Sequence, residues 1–91
     1  MPLELLERNR FRVLQRLYAL AEGDTERPMR VDTASVASAL SIPEADVKQA
    51  VAFLIHAHYA SETEPDGALC VTRRAVYYLE AGAYQRQTIR D

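Results

Sequence analysis

The sequence has no tryptophan and a single cysteine in 91 residues. A single cysteine forms no internal disulfide, which fits a reducing cytoplasm and leaves the fold to its packed core. No apolar run approaches the roughly 20 residues that cross a bilayer, so a transmembrane helix is excluded. The opening Met1–Glu7 lacks the basic start and unbroken apolar stretch of a secretory leader, and a cytoplasmic, membrane-free protein is expected. No stretch reads as an interdomain linker, a repeat or a low-complexity tract, so residues 1–91 are expected to form one domain. Catalytic patterns are also missing: there is no nucleophile elbow, no phosphate loop, and no paired carboxylates backed by a base. Ser35, Ser38, Ser41 and Ser61 read as helix-surface, turn or cap residues. The expectation is no enzyme and no cofactor. Positive charge is scarce as well. The formal net charge is −2, whereas nucleic-acid binders are usually basic, so the distribution of charge matters more than its sum.

What is present is an ordinary globular balance, 48% apolar and 26% charged, arranged around Thr33 to Tyr59. Val36, Ala37 and Leu40 share one helical face; Val47, Ala50, Val51 and Leu54 repeat at three- and four-residue steps in a second helix, about Pro43 to His58. Ser41-Ile42-Pro43-Glu44 closes one helix and starts the next, since proline is tolerated in a first helical turn. Glu44 and Asp46 then sit at the positive end of the helix dipole. Before this pair, Leu5 to Glu22 forms a first helix. Leu14, Leu17 and Ala21, with Val13 and Leu20 beside them, make its apolar face, and Phe11 and Tyr18 flank that face. Glu4, Arg8, Arg12 and Arg16 form a polar stripe. Gly23 is placed to end the helix at positive φ. Met29-Arg30-Val31 alternates as a short strand, and Asp32 or Thr33 caps the second helix. Downstream, Tyr59 to Thr63 and Ala68 to Thr72 read as strands joined by a turn at Glu64-Pro65-Asp66-Gly67. Period two leaves Cys70 outward between Leu69 and Val71. Thr72 is placed to cap a last helix, with Val76 and Leu79 toward the core.

Two helices with a tight break, then a hairpin, then Val71-Thr72-Arg73-Arg74-Ala75-Val76-Tyr77-Tyr78-Leu79-Glu80, resemble the winged helix-turn-helix superfamily of small bacterial and archaeal transcription regulators. That last run is similar to the L-T-x-x-G-x-x-x-L-E pattern that follows the wing in many of them, with Ala75 in place of the glycine. The resemblance covers nearly the whole chain. It implies an α+β, mostly helical fold with a three-helix core, a two-stranded wing with a short third strand, and a C-terminal helix. Relatives of the pattern usually end the recognition helix on glycine where this chain has His58. Either His58 takes positive φ with some strain, or the helix ends differently.

The resemblance specifies a fold better than a function. One reading is a DNA-binding transcription regulator, or the DNA-reading part of a complex. Its candidate contacts to double-stranded DNA are Lys48 and Gln49 on the third helix, Arg73 and Arg74 beside the wing, and Arg30. Glu44, Asp46 and the acids Glu62, Glu64 and Asp66 oppose it. The alternative is a winged helix used for protein–protein interaction or dimerisation without DNA. Its candidate contacts are Phe11, Tyr18, Phe53, Tyr77, Tyr78 and Tyr84; a homodimer through the first and last helices is expected under either reading. Phe53 either meets a partner or folds back onto the core. His56, His58 and Cys70 are metal-ligand types without metal-ligand spacing, so no metal site is expected.

Overall fold

A computed structural model of the chain describes residues 2–63, 67–81 and 88–90. Among these, four helices and a two-stranded antiparallel sheet follow one another in the order α1 (Leu3–Ala21), α2 (Thr33–Leu40), α3 (Glu44–His56), β1 (Ala60–Thr63), β2 (Ala68–Val71) and α4 (Arg73–Ala81). The protein is thus small, α+β and mostly helical.

Each helix starts and stops where local chemistry dictates. α1 begins two residues earlier than its apolar pattern suggests, because Pro2 stands at the N-cap and its carbonyl accepts from the Leu6 amide at 3.1 Å. It ends on two successive left-handed residues, Glu22 (φ 54°) and Gly23 (φ 72°), whose amides bond back to the Ala19 and Tyr18 carbonyls at 3.2 and 3.1 Å. Asp32 caps α2: its Oδ1 accepts from the Ala34 amide at 3.1 Å and its Oδ2 from Ser35 Oγ at 2.8 Å. Ser41 (φ 55°) turns the chain out of α2, and Ile42 drops into the core. Pro43 lies just outside α3, in an extended conformation, and not in its first turn. Its carbonyl accepts from the amides of Asp46 and Val47 at 3.0 and 3.1 Å. His58 does take positive φ, at 66°, and the Tyr59 amide then bonds to the Leu54 carbonyl at 2.8 Å. Thr72 caps α4 as expected. Its Oγ1 accepts from the Ala75 amide at 3.2 Å and donates to the His58 carbonyl at 2.6 Å, which ties the end of α3 to the start of α4.

β1 and β2 pair in the register Ala60↔Val71, Ser61↔Cys70, Glu62↔Leu69 and Thr63↔Ala68. The turn expected at Glu64-Pro65-Asp66 lies outside the described residues; Gly67 follows it at φ 72°. The short strand expected at Met29–Val31 reduces to one antiparallel bridge, in which Met29 and Leu69 exchange amide-to-carbonyl bonds of 2.7 and 2.8 Å. That bridge covers the second edge of β2, and all four β2 residues are buried. Cys70, expected outward, is buried as well: alternation assigns faces, but not what lies over them.

The core gathers Val13, Leu14, Leu17 and Ala21 of α1, Val47 and Leu54 of α3, and Ala75 of α4, none of which has any exposed surface. Ala75, where the resembling pattern has glycine, packs fully buried with its methyl accommodated. Two expectations for α1 are corrected. Leu20 is exposed rather than on the apolar face, and Phe11 is a core residue rather than a flanking one. Val76 and Leu79 are half-buried against the core. Ile89 is also buried: its amide donates to the Glu7 carbonyl at 3.0 Å and its carbonyl accepts from Arg10 Nη1 at 3.2 Å. No helix among the described residues is long and apolar enough to cross a membrane.

Candidate functional site

The outer face of α3 carries the first group of candidate contacts. Ala45, Lys48, Gln49, Ala52 and His56 are exposed, and Asp46 is half-buried. Lys48 Nζ lies 3.8 Å from Glu44 Oε2, one helical turn back. The same Glu44 oxygen accepts from Thr33 Oγ1 at 2.7 Å, which links the first turns of α2 and α3. Both partners of the Lys48–Glu44 pair are well exposed, so water screens it and it contributes little. The lysine is held loosely and can exchange Glu44 for another anion.

Phe53 does not belong to that outer face. Its ring is half-buried under the Arg10 guanidinium, which sits 3.5 Å from the ring centroid. Of the two alternatives read from the sequence, the ring folds back onto the core. Arg10 is the residue that sequence reasoning missed. It shares an i, i+3, i+4, i+7 face with Val13, Leu14 and Leu17, and that spacing was the available signal for a buried position. A buried guanidinium needs acceptors and an aromatic face to offset lost hydration; Ile89 and Phe53 supply one of each. Within the polar stripe of α1, Arg12 is likewise committed inward, donating to the Leu40 carbonyl at 2.6 Å, while Arg8 and Arg16 are exposed.

The second group stands at the start of α4. Arg73 and Arg74 are both exposed, and the first turn of α4 holds no acid. Two cations at the positive end of a helix dipole do not help the helix; an anion brought there gains from both. Arg74 stacks over the Tyr59 ring at 4.7 Å, with Nη2 3.5 Å from the phenol oxygen. Tyr59 lies just beyond the end of α3. Lys48 lies in the second turn of α3, and the Arg74 anchor, Tyr59, stands beyond its last residue, His56. They occupy its two ends and form no single cluster. Arg30 is exposed beside the Met29–Leu69 bridge, and on the hairpin Glu62 is exposed too.

The aromatic candidates separate in the same way. Phe11 is buried and unavailable to a partner. Tyr18 is half-buried and donates to Glu80 Oε2 at 2.6 Å, joining α1 to α4. That hydrogen bond, then burial, then the carboxylate's charge hold the phenol above its usual pKa. Tyr78 is half-buried, donates to the Thr88 carbonyl and meets the Tyr59 ring edge-on at 5.5 Å. Tyr77 is 75% exposed and so stays available to a partner. Tyr84 lies outside the described residues. No group of three or more His, Cys, Asp or Glu suited to a metal ion occurs among the described residues.

No protein-family model, no curated protein and no solved structure matches the chain.

Proposed function

We propose that the chain is a winged-helix protein that binds duplex DNA, as a transcription regulator or the DNA-reading part of a complex. The observation that carries this reading is the pairing of α3, with Lys48 and Gln49 exposed on its outer face, with a following hairpin whose far end leads straight into Arg73 and Arg74. In this reading α3 enters the major groove and β1–β2 is the wing. Gln49 suits the N6/N7 edge of adenine, and Lys48 suits guanine or a phosphate. Arg73 and Arg74, at the start of α4, hold the backbone beside the wing.

The charge pattern limits the affinity. Glu44, half-buried Asp46 and Glu62 face the same polyanion, and Lys48 must leave Glu44 to reach it. Each neutralised phosphate adds roughly −0.9 to the slope of log K against log salt, so a shallow slope of about −2 to −4 per protomer is expected. Fluorescence anisotropy on random duplex at several salt concentrations measures it. Arg73→Ala/Arg74→Ala should flatten the slope by about one to two units. Absence of binding by the wild type even at very low salt overturns the reading. An unchanged slope in the double variant removes the two arginines from the interface.

A second reading, a protein-interaction or dimerisation module, rests on a different observation. Tyr77 and Leu20 are large, apolar and exposed, at 75% and 44%. They lie on the two helices that the Tyr18–Glu80 hydrogen bond joins.

A further inference from the structure

A cleft of about 410 Å³ opens beside the C-terminal end of α3, lined by Phe53, His56, Ala57, Tyr59, Arg74 and Arg90. We propose that it binds a small organic carboxylate with an aromatic body. The volume falls in the range of roughly 300–1,000 Å³ typical of small-molecule sites. The lining divides by chemistry. Phe53, Ala57 and Tyr59 supply apolar wall, while His56, Arg74 and Arg90 supply N–H donors. Among the described residues that line the cleft there is no carboxylate; Glu7, 4.0 Å from Arg90 Nε, stands just outside it.

The walls are set before a ligand arrives. Arg10 holds the Phe53 ring from one side at 3.5 Å. Tyr59 is held by Tyr78 edge-on at 5.5 Å and by Arg74 stacked at 4.7 Å. The Arg74 guanidinium is thereby oriented in advance, which lowers the ordering cost of binding. The Arg90 side chain is 71% exposed, and its Nε reaches Glu7 Oε1 only at 4.0 Å. So long a contact leaves most of a five-donor group for another acceptor. A guanidinium matches the planar two-oxygen geometry of a carboxylate, and the apolar wall favours an aromatic ring over a bare anion. A metal cation is disfavoured by the two arginines. A simple phosphate satisfies the arginines but leaves Phe53 and Ala57 without a partner.

The inference does not depend on duplex binding, although it shares Arg74 with it, and its test contains no DNA. 1-Naphthoate is titrated into ¹⁵N-labelled protein and amide shifts are followed, with 1-naphthalenemethanol and inorganic phosphate in parallel. Saturable shifts are expected at His56–Tyr59 and at Arg74 with naphthoate. Each control should bind at least about tenfold more weakly, the size of one lost charge-assisted or apolar subsite. Arg74→Gln and Arg90→Gln should each weaken naphthoate about tenfold. Both side chains are exposed, and thermal melts verify that the variants remain folded. The proposal is overturned if millimolar naphthoate gives no saturation, or if the shifts lie elsewhere on the surface. It is equally overturned if the neutral alcohol or phosphate binds as tightly as naphthoate, or if both folded glutamine variants bind like the wild type.

Discussion

Adjacent residues of α3 divide the work of stability unequally. Leu54 has no exposed surface, whereas Phe53 is half-buried beneath a guanidinium. Leu54→Ala leaves a cavity and should cost about 2–5 kcal/mol. Phe53→Ala removes a ring that is partly in water already, and should cost less. Thermal melts of the two variants check the order; a larger loss at Phe53 would mean that the Arg10–Phe53 stack anchors α3 more firmly than the aliphatic core. His58 is one of three non-glycine residues at positive φ among the described residues, with Glu22 and Ser41. Left-handed backbone costs an L-residue about 1–2 kcal/mol, while glycine adds about 0.4–1 kcal/mol of unfolded-state entropy. With φ at 66°, His58→Gly should raise stability by about 0.5–1 kcal/mol by the difference of those terms. Chemical denaturation measures it, and a destabilised variant would show that the imidazole contributes more than its backbone costs.

At the scale of elements, the helix ends are the sensitive points. α2 is only eight residues long, too short to persist without its cap and its packing. The Asp32 carboxylate accepts from Ser35 and from the Ala34 amide, and these two bonds, Ser35 first, hold its pKa below the usual 3.8. A depressed carboxyl pKa stabilises the folded state fully above the unfolded value and loses that contribution as pH falls through the folded one. Asp32→Ala should therefore lower the melting temperature by a constant amount from pH 7 down to about 4, and by progressively less below it. Melts of both proteins across that range test the sign; a gap that widens in acid would contradict it. α3 and α4 are joined through Thr72, whose single oxygen serves the His58 carbonyl and the Ala75 amide together. Thr72 thus helps to set the spacing of Arg74 from α3, together with the Arg74–Tyr59 contact.

For the whole molecule, the question is what the surface left over after folding can meet. Phe11 went to the core, and Tyr18 and Tyr78 donate their hydroxyls internally. The aromatic surplus that suggested a dimer shrinks, among the described residues, to Tyr77, with Leu20, Leu3 and Leu5 as other exposed apolar side chains. We propose a homodimer through α1 and α4 that covers Tyr77 and Leu20. Light scattering after gel filtration at micromolar concentration should give twice the 10.3 kDa chain mass. Tyr77→Ser should then shift the protein toward a monomer. A wild type that stays at the single-chain mass removes the dimer and, with it, the clearest use for that patch.

Features governed by interactions within a few residues were legible in the sequence. The apolar stripe of α3 and most of that of α1, the break at Ser41–Pro43, a cap at Asp32 or Thr33, the Thr72 cap, the positive φ of Gly23 and the hairpin all follow from spacing and turn chemistry. These act over one or two turns of chain and read the same in any tertiary setting. Only the tertiary structure decided the fates of Arg10, Phe53, Cys70 and Ile89. Arg10 is buried because a carbonyl 79 residues away accepts from it. Phe53 turns inward because Arg10 covers it. Cys70 is buried although strand alternation puts it on the face opposite Leu69 and Val71. The candidate ligand cleft belongs with these, since Phe53, Tyr59, Arg74 and Arg90 come together through packing between segments and not through any spacing along the chain. A side chain's pattern tells which face it occupies, but its burial depends on what lies across from that face, and that is settled by contacts between distant parts of the chain.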